Sequence, residues 1–254
     1  SLREEDSIGD QIFVKETCEN YGIRFHTITF DTHKIAEERK ESTQMVARDL
    51  RYSWFSELKE SYGFDYILTA HHRDDEIETF FINLIRGSGL RGLKGIPAKT
   101  GHLVRPLLFA WRKEVEQFAV LKQINWREDR SNATDDYLRN KIRHQLVPVL
   151  KELSVEAASR TSLSIDLLRF ASGVFDDQIK ELSNECIRRI GDETRVDLLK
   201  LKHLDKQPYW LFELLSPFGF NLSHCKAISR SLNETTGKQF FSPTHRLIRE
   251  RDYL

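Results

Sequence analysis

The chain has 254 residues, of which 39 are Lys or Arg and 39 are Asp or Glu, so its formal net charge is zero. Hydrophobic residues make up 39% of the sequence and charged residues 31%, a balance that allows a buried core and excludes wholesale disorder. No apolar run approaches the roughly 20 residues of a membrane span, and the acidic N-terminus has no apolar signal segment, so we expect neither a membrane anchor nor a secretory leader.

Short apolar runs alternate with helical patterns in the first half of the chain. A first helix is expected to stop at Tyr21-Gly22. The elements predicted after it are a strand at Arg24 to Phe30, a helix at Ser42 to Ser61, a buried parallel strand at Asp65 to Ala70 and a helix at Asp74 to Arg86. The apolar sides of these two helices are predicted to be Met45, Val46, Leu50, Trp54, Phe55 and Leu58, and Ile77, Phe80, Phe81, Leu84 and Ile85. The alternation predicts an α/β fold with a Rossmann-like, mostly parallel sheet flanked by helices on both faces.

The pattern changes after Pro148, where strand signals stop. Glu152 to Arg189 is predicted to form one or two helices, with Leu163, Leu167, Leu168, Phe175, Ile179 and Leu182 on the buried side. Further elements are short helices at Pro208 to Leu215 and Ser223 to Leu232, a turn at Asn233 to Gly237, and two closing strands in GKQFFSP and HRLIRERDYL. We therefore expect two domains, residues 1–150 and residues 151–254, of which the second is smaller and mainly helical with a short β segment at its end.

The zero net charge hides an uneven distribution. Residues 1–20 contain six acids and two bases, whereas Arg86 to Lys113 contains seven bases and no acid. This basic stretch includes Gly87-Ser88-Gly89-Leu90-Arg91-Gly92, a literal GxGxxG, but these glycines follow a helix instead of a strand, and no acid lies about 20 residues on. We expect a flexible basic loop that approaches phosphates; a solvated surface loop is the alternative.

The densest cluster of reactive side chains lies where a predicted strand ends and a helix begins. It contains His71, His72 and the carboxylates of Asp74, Asp75 and Glu78. Open α/β sheets bind ligands at such ends, and hard oxygen ligands suit Mg²⁺ or a substrate ammonium group. Asp74 is also placed to cap the helix, so capping plus a solvated face is the structural alternative for any two of these residues. Zinc is not expected, because HExxH is absent and no cysteine is near.

A third cluster covers residues 126–144. It contains the segment EDRSN, with Glu128, Ser131 and Asn132, and the segment YLRNKIRH. Arg139 and Arg143 are four residues apart with Asn140 beside the first, so a helix would present two guanidinium groups in one direction. That arrangement suits phosphate or carboxylate, and an inter-domain salt-bridge helix is the alternative.

The three cysteines are widely separated and form no CxxC pair. Their positions, Cys18, Cys186 and Cys225, argue against a disulfide framework or a zinc ribbon and favour a reducing compartment such as the cytoplasm.

These motifs together resemble one family, the tRNA(Ile)-lysidine synthetases of the PP-loop (N-type) ATP pyrophosphatases. The resemblance covers residues 1–150 in family order and is weaker over residues 151–254, which look like the family's helical middle domain. It is carried by LREEDS at residues 2–7, Ser42 to Tyr52, AHHRDDEIET, Arg86-Gly87 to Gly95, Arg105 to Leu108, Arg112 to Glu114, EDRSN, YLRNKIRH and Pro148.

The resemblance implies an ATP-dependent ligase that adenylates the wobble cytidine of an isoleucine tRNA with a CAU anticodon at its C2 oxygen, after which free L-lysine displaces AMP. ATP and Mg²⁺ are the implied cofactors. The ATP–Mg²⁺ and lysine pocket would contain His71, Asp74, Asp75, Glu78 and Thr79, with Asp74 and Asp75 as the metal ligands. Arg48 and Arg112 would lie near the nucleotide or substrate. Phosphates of the tRNA or of ATP would be contacted by Arg86, Gly87, Gly89, Arg91, Lys94, Arg139, Asn140 and Arg143. The sequence leaves open whether the protein forms a homodimer.

One family signature is missing from these 254 residues. The SGGxDS loop that cradles the pyrophosphate does not occur in the sequence, which starts at the family's LREEDS segment. We therefore expect a truncated polypeptide that does not bind ATP productively by itself.

Two other functions compete with lysidine formation. A PP-loop 2-thiocytidine synthetase resembles the same fold but uses a cysteine pair, which is not found here. A non-catalytic tRNA-binding fragment is consistent with the missing pyrophosphate loop.

Overall fold

The structure is a computed structural model that describes residues 2–128, 138–201, 204–232, 234 and 236–254. It divides into two compact units, Ser1–Arg169 (unit 1) and Phe170–Leu254 (unit 2). Residues predicted for the third cluster, Asp129, Ser131, Asn132 and Tyr137, lie outside the described residues, as does Asn233 of the predicted turn. The domain boundary near residue 150 stays a prediction.

Unit 1 combines helices with a small sheet. Its helices are α1 (Leu2–Asn20), α2 (Thr32–Arg39), α3 (Thr43–Tyr62), α4 (Arg73–Ile85), α5 (Leu90–Leu93), α6 (Arg112–Leu121), α7 (Leu138–Lys141) and α8 (Val147–Leu153). Its strands are β1 (Ile67–Leu68), β2 (Lys99–Thr100) and β3 (Leu103–Val104). A π-helical turn, Ile142–Leu146, lies between α7 and α8, and α9 (Ala157–Cys186) begins in unit 1 and ends in unit 2. The α/β fold class is confirmed.

The described sheet has the order β1-β3-β2. β1 pairs in parallel with β3, with Ile67 opposite Leu103, whereas β2 pairs with β3 antiparallel. The prediction of a parallel strand at Asp65 to Ala70 is thus confirmed in direction, but its burial is wrong, since the Leu68 side chain is 65% exposed. The strand predicted at Arg24 to Phe30 is wrong: the segment is irregular, because none of its backbone groups joins a ladder with another described residue.

Local capping explains where the helix α3 begins and ends. The Ser42 side chain accepts a hydrogen bond from the Met45 N–H at 3.3 Å, and Gly63 takes a left-handed conformation with φ 68°. Val46 is buried as predicted, but Met45 is 56% exposed. The caps thus agree with the predicted bounds of this helix, Ser42 to Ser61, whereas the predicted burial of Met45 is wrong.

Helices α4 and α9 also expose part of their predicted buried sides. In α4, Ile77 is buried but Leu84 and Ile85 are exposed; in α9, Leu163 and Leu167 are exposed by 59% and 61%. Periodicity identifies an apolar stripe, but a stripe is buried only where another element covers it. None of the described helices is long and apolar enough to cross a membrane.

Unit 2 has its own hydrophobic core. Its elements after α9 are β4 (Ile187–Ile190), β5 (Glu193–Val196), α10 (Leu198–Leu201), α11 (Gln207–Leu215), a 3₁₀ turn (Ser216–Phe218), α12 (Leu222–Ser231), β6 (Gln239–Phe241) and β7 (Arg246–Ile248). The two helices and two closing strands predicted here are confirmed. The hairpin of β4 and β5 was missed, and its first strand corrects the prediction of helix as far as Arg189. The core is formed by Cys186, Val196, Leu198, Leu201, Leu211, Leu214, Leu215, Phe220, Cys225, Ile228, Leu232, Leu247 and Leu254.

Candidate active site

The N-terminus of α4 lies directly after β1 and carries the clustered carboxylates. His72 is the N-cap: its Nδ1 accepts a hydrogen bond from the Asp75 N–H at 3.4 Å, and the Asp75 carboxylate accepts one from the His72 N–H at 3.0 Å. This reciprocal pair is a capping box. The prediction that Asp74 caps α4 is therefore wrong, because His72 occupies the N-cap position and leaves the Asp74 side chain for another helix.

Asp74 joins α4 to the N-terminus of α6. Its Oδ2 accepts a hydrogen bond from the Arg112 N–H at 2.8 Å, which is the first backbone N–H of α6. A carboxylate at this position is stabilised by the α6 dipole. The Arg112 side chain turns away and donates from Nε to Glu116 at 2.7 Å. The backbone of Arg112, and not its guanidinium, is thus what contacts the carboxylate cluster.

Glu78 is buried and contacts two arginines, Arg139 of α7 and Arg143 of the π-helical turn. Arg143 donates to it with Nε at 2.6 Å and with Nη2 at 3.1 Å, and the Arg139 Nε lies 3.3 Å from its Oε2. Arg139 also donates from Nη2 to the Thr79 hydroxyl at 2.9 Å. The hydrogen bond with Glu78 is the main cause that raises the pKa of Arg143. The predicted guanidinium pair on one side of a helix is present, and a carboxylate of unit 1 pairs with it.

His71 borders a cleft of about 450 Å³ on one side of α4. Its Nδ1 lies 2.9 Å from the Thr69 hydroxyl, and burial lowers its pKa below the usual 6.5, against the opposing effect of Asp75. The cleft is lined by Arg48, Arg51, Tyr52, Phe55, Leu68, Thr69, Ala70, His71, Asp75 and Arg139. His71, Asp75, Arg48 and Arg139, which were predicted from different segments, therefore meet at this cleft.

A second, smaller cleft lies beside Asp74 and Glu78. Its volume is about 140 Å³, and its lining residues are His72, Asp74, Ile77, Glu78, Arg112, Arg143, Val147, Lys151 and Ala158. Lys151 also lines a neighbouring cleft with Asp74 and Trp111. Lys151 had not been predicted, because a single lysine in α8 carries no motif.

The predicted phosphate-binding residues of the basic stretch lie at the other end of α4. Arg86 follows the last turn of that helix, which is roughly 20 Å long for 13 residues. The expected flexible loop contains a short helix, since Gly89 is the N-cap of α5, which contains Arg91 and has Lys94 as its C-cap. Gly87 has φ 72°, a conformation that favours glycine. The length of α4 thus separates Arg86 and Gly87 from the carboxylate cluster, whereas the stretch returns to the first turn of α4 at Gly95, beside Glu76.

Two further predicted residues have packing roles. Asn140 is buried in α7, and the Thr79 hydroxyl donates to the Asp75 carbonyl at 2.8 Å. Sequence reasoning overlooked Glu76, a buried carboxylate of α4. Burial raises its pKa, although the adjacent Arg169 guanidinium favours the charged form. Only its position in a helix that carries three other acids could have singled it out.

The carboxylates of Asp74 and Asp75 are suited to a cation that a bound substrate also coordinates. Among the described residues no group of three or more His, Cys, Asp and Glu side chains is placed to hold a metal. Asp74 and Asp75 each use Oδ2 in a hydrogen bond to backbone, and Asp75 Oδ1 lies 3.7 Å from Arg143 Nη2. Magnesium is commonly bound by one or two carboxylates plus substrate phosphates, so this donor set fits the ion.

Unit 2 contains a further cavity of about 490 Å³. Its walls combine basic side chains, including Arg189, Arg195 and Arg246, with aromatic rings such as those of Phe218 and Phe220. Arg195 lies over the Tyr253 ring at 4.6 Å and pairs with Glu193.

The fold and the site define the class of protein: it has an α/β unit with carboxylates and arginines clustered where a strand ends. The family model described as the PP-loop domain matches residues 1–150, which is more than half of the sequence, and a second model, described as the TilS substrate binding domain, matches residues 189–254. The chain therefore belongs to the PP-loop family, and the resemblance drawn from its motifs is confirmed.

Relatives with curated names extend over the whole chain. It is similar to the tRNA(Ile)-lysidine synthase of Bacteroides thetaiotaomicron, with 39% identity over 100% of this chain and 58% of the relative. The protein of the same name from Porphyromonas gingivalis is 37% identical over 100% of this chain and 55% of its own length, and one from Clostridium perfringens is 32% identical over 94% and 52%. The chain spans about half the length of the curated relatives it matches.

Proposed function

We propose that the protein carrying this chain ligates lysine to C2 of the wobble cytidine of an isoleucine tRNA with a CAU anticodon, through an adenylated tRNA intermediate. The observation that carries the proposal is the cluster of Asp74, Asp75 and Glu78 at the N-terminus of α4 with Arg139 and Arg143 against it. Relatives that match this whole chain are named tRNA(Ile)-lysidine synthase, which supports that reaction over others of the PP-loop family.

The two clefts beside α4 suit two kinds of ligand group. Arg48 and Arg139 at the larger cleft favour the phosphates of ATP, because guanidinium groups bind phosphate oxygens by paired hydrogen bonds. Asp74 and Asp75 are the carboxylates that would hold a cation or an ammonium group of lysine, with Arg143 beside Asp75 at 3.7 Å. Glu78 orients the two arginines, since both of its oxygens are engaged by Arg143.

Charge neutralisation and proton removal are the two chemical requirements of the reaction. When bound at Asp74 and Asp75, Mg²⁺ supplies positive charge to the triphosphate. Lysine must lose a proton from the amine that attacks C2, and AMP then leaves with its electron pair. Burial lowers the pKa of His71, which favours the neutral imidazole, the form that accepts a proton. The reaction requires ATP, free lysine and tRNA together, which places it in the cytoplasm.

Mass spectrometry of the tRNA tests the proposed function directly. The full-length protein is incubated with ATP, Mg²⁺, lysine and a transcribed isoleucine tRNA, and the anticodon nucleosides are identified. Lysidine at the wobble position is the expected product. Thiocytidine, in a reaction supplied with a sulfur donor, would indicate the competing thiolase, and unchanged cytidine would indicate a tRNA-binding protein without catalysis.

A substitution at Asp75 separates catalysis from tRNA binding. In the full-length protein, Asp75→Ala is expected to lower the rate of tRNA adenylation at least 100-fold while the Kd for tRNA stays within about twofold. The reason is that this carboxylate lines the larger cleft, which is proposed to bind the phosphates of ATP. Adenylation is followed with radiolabelled ATP and tRNA affinity by filter binding. Normal adenylation with lost tRNA binding would contradict the assignment.

A further inference from the structure

Glu76 is the buried acid of α4 that lines neither of the clefts beside the helix. It is 3% exposed, its Oε1 accepts a hydrogen bond from the Ile96 N–H at 3.3 Å, and it pairs with the Arg169 guanidinium of α9. Two neighbouring acids, Asp75 and Glu78, face arginines of the candidate site instead. Glu76 therefore points to a different part of unit 1 and has a different set of partners.

One of those partners, Ile96, belongs to the basic stretch. The stretch leaves α4 at Arg86 and comes back to it at Gly95 and Ile96, next to Glu76. Gly95 has φ 74°, and a Cβ at this position would lie 2.6 Å from Glu76 Oε1 and 2.6 Å from Ile165. Only glycine both adopts this conformation without strain and lets the backbone approach the carboxylate so closely.

A second contact fastens the same stretch farther along α4. The Asn83 side-chain amide donates to the Gly92 carbonyl at 2.7 Å. Glu76 and Asn83 are seven residues apart, so they lie on one face of the helix, whereas Asp74 and Glu78 lie on the opposite face. The basic stretch is thus held along one side of α4 and the candidate chemistry occupies the other.

We propose that Glu76 is a positioning residue that holds the basic loop, residues 86–96, at a fixed distance from the carboxylates of α4. The proposal rests on the proposed function, because the ligand of the loop is the tRNA phosphate backbone. A rigid helix about 10 Å in diameter separates the two faces. A tRNA whose phosphates are bound by Arg86 and Arg91 is therefore held at one fixed position relative to Asp75. Loss of the Glu76 contacts frees the returning end of the loop while Asn83 still holds its middle.

Variants of the full-length protein test this positioning role. Glu76→Ala removes both contacts, and Gly95→Ala displaces the loop from an intact Glu76. We expect both to raise the KM for the transcribed tRNA about tenfold, a change equivalent to one hydrogen bond to a charged group, while kcat at saturating tRNA stays within about twofold. Glu76→Gln keeps an acceptor for the Ile96 N–H and is expected to restore most of the affinity.

Amide hydrogen exchange provides a readout that does not depend on activity. The Ile96 amide is expected to exchange faster in Glu76→Ala than in Glu76→Gln. The matched control is Asp166→Asn, which removes the exposed partner of Arg169 at 2.5 Å and leaves Glu76 with its contacts; its tRNA KM and Ile96 exchange are expected to equal those of the unmodified protein.

The outcomes separate this proposal from the proposed function. A fall in kcat with an unchanged tRNA KM, or unchanged Ile96 exchange in Glu76→Ala, would overturn the positioning role even if lysidine is formed. If the unmodified protein forms no lysidine, the proposed function fails, and tRNA affinity by filter binding then replaces KM as the measure of the role of Glu76. Should Glu76→Ala not fold, the comparison of Gly95→Ala with Glu76→Gln decides by the same criteria.

Discussion

The Glu78 side chain is 3% exposed and pairs with two arginines, Arg139 and Arg143. Removing the partner of a buried carboxylate destabilises the folded state, because the charge that remains has no water to solvate it. Arg143 makes the shorter, bidentate contact with Glu78, and Arg139 makes the longer one. The arginines therefore have a structural role in addition to any contact with phosphate.

Removal of Arg143 should reveal this cost. We expect Arg143→Met to lower the free energy of unfolding by about 3 kcal/mol, because it leaves Glu78 with Arg139 alone. The double variant Glu78→Gln/Arg143→Met should recover at least half of the loss. Urea unfolding followed by circular dichroism measures both values.

The control for this cycle is Arg160→Met, which removes an exposed pair with Glu156 and should cost less than about 1 kcal/mol. Equal losses for Arg143→Met and Arg160→Met would show that Glu78 does not depend on its arginine.

At the scale of elements, α4 carries the candidate chemistry at its N-terminal end and the start of the basic loop at its C-terminal end. Its first turn contains Asp74, Asp75 and Glu76, whose negative charges stabilise the helix by interacting with its dipole, and its C-cap is Arg86. The helix therefore links two sites of opposite charge. Such a charge separation would allow a chain with zero net charge to bind the polyanion that the proposed function requires.

The basic loop supplies a prediction about tRNA binding. In the full-length protein, Arg91→Ala is expected to weaken tRNA binding and to reduce the salt dependence of the affinity by about one phosphate contact, since each neutralised phosphate releases counterions. Filter binding between low and moderate salt measures the slope. Lys122→Ala, an exposed lysine after α6, is the control and should leave the slope unchanged. An equal slope for Arg91→Ala and the unmodified protein would contradict a contact between this loop and tRNA.

At the scale of the whole molecule, the two units differ in how they are built. Unit 2 is half as long as unit 1, yet more of the buried apolar side chains of the described chain belong to it. Its core contains two cysteines, Cys186 and Cys225, both fully buried, whereas Cys18 of unit 1 is partly exposed. The accessibility of each cysteine thiol therefore reports whether the unit that contains it is folded.

Thiol labelling should follow the unfolding of unit 2. Burial raises the pKa of Cys225 from 9.0 to about 11, so the folded state disfavours its thiolate. Stability from this group is fully present below pH 9 and is lost as the pH rises to about 11, by at most about 3 kcal/mol. Iodoacetamide at pH 8 should modify Cys18 first and Cys225 only on unfolding, as read by peptide mass spectrometry.

The control is Cys225→Ala, whose stability should fall less between pH 9 and 11 than that of the unmodified chain. Labelling of Cys225 as fast as that of Cys18 under native conditions would contradict the buried core.

Local signals predicted much of this architecture, and long-range pairing limited the rest. Ser42 and Gly63 fixed the bounds of α3 because capping depends on adjacent residues. The segment Arg24 to Phe30 has strand-like alternation, but a strand needs a hydrogen-bonded neighbour, which alternation cannot supply. The motif residues of the site were named from sequence, yet the pairing of Glu78 with Arg143 joins residues 65 positions apart and became visible only in the fold.

The π-helical turn at Ile142–Leu146 has a consequence for comparing this chain with others. A π turn contains about one residue more than an α turn and is equivalent to a one-residue insertion within a helix. A relative in which the same helix is regular would need a gap of one residue between Asn140 and Pro148 for both to align. Motif searches that fix the spacing between the arginine pair and that proline would overlook such relatives.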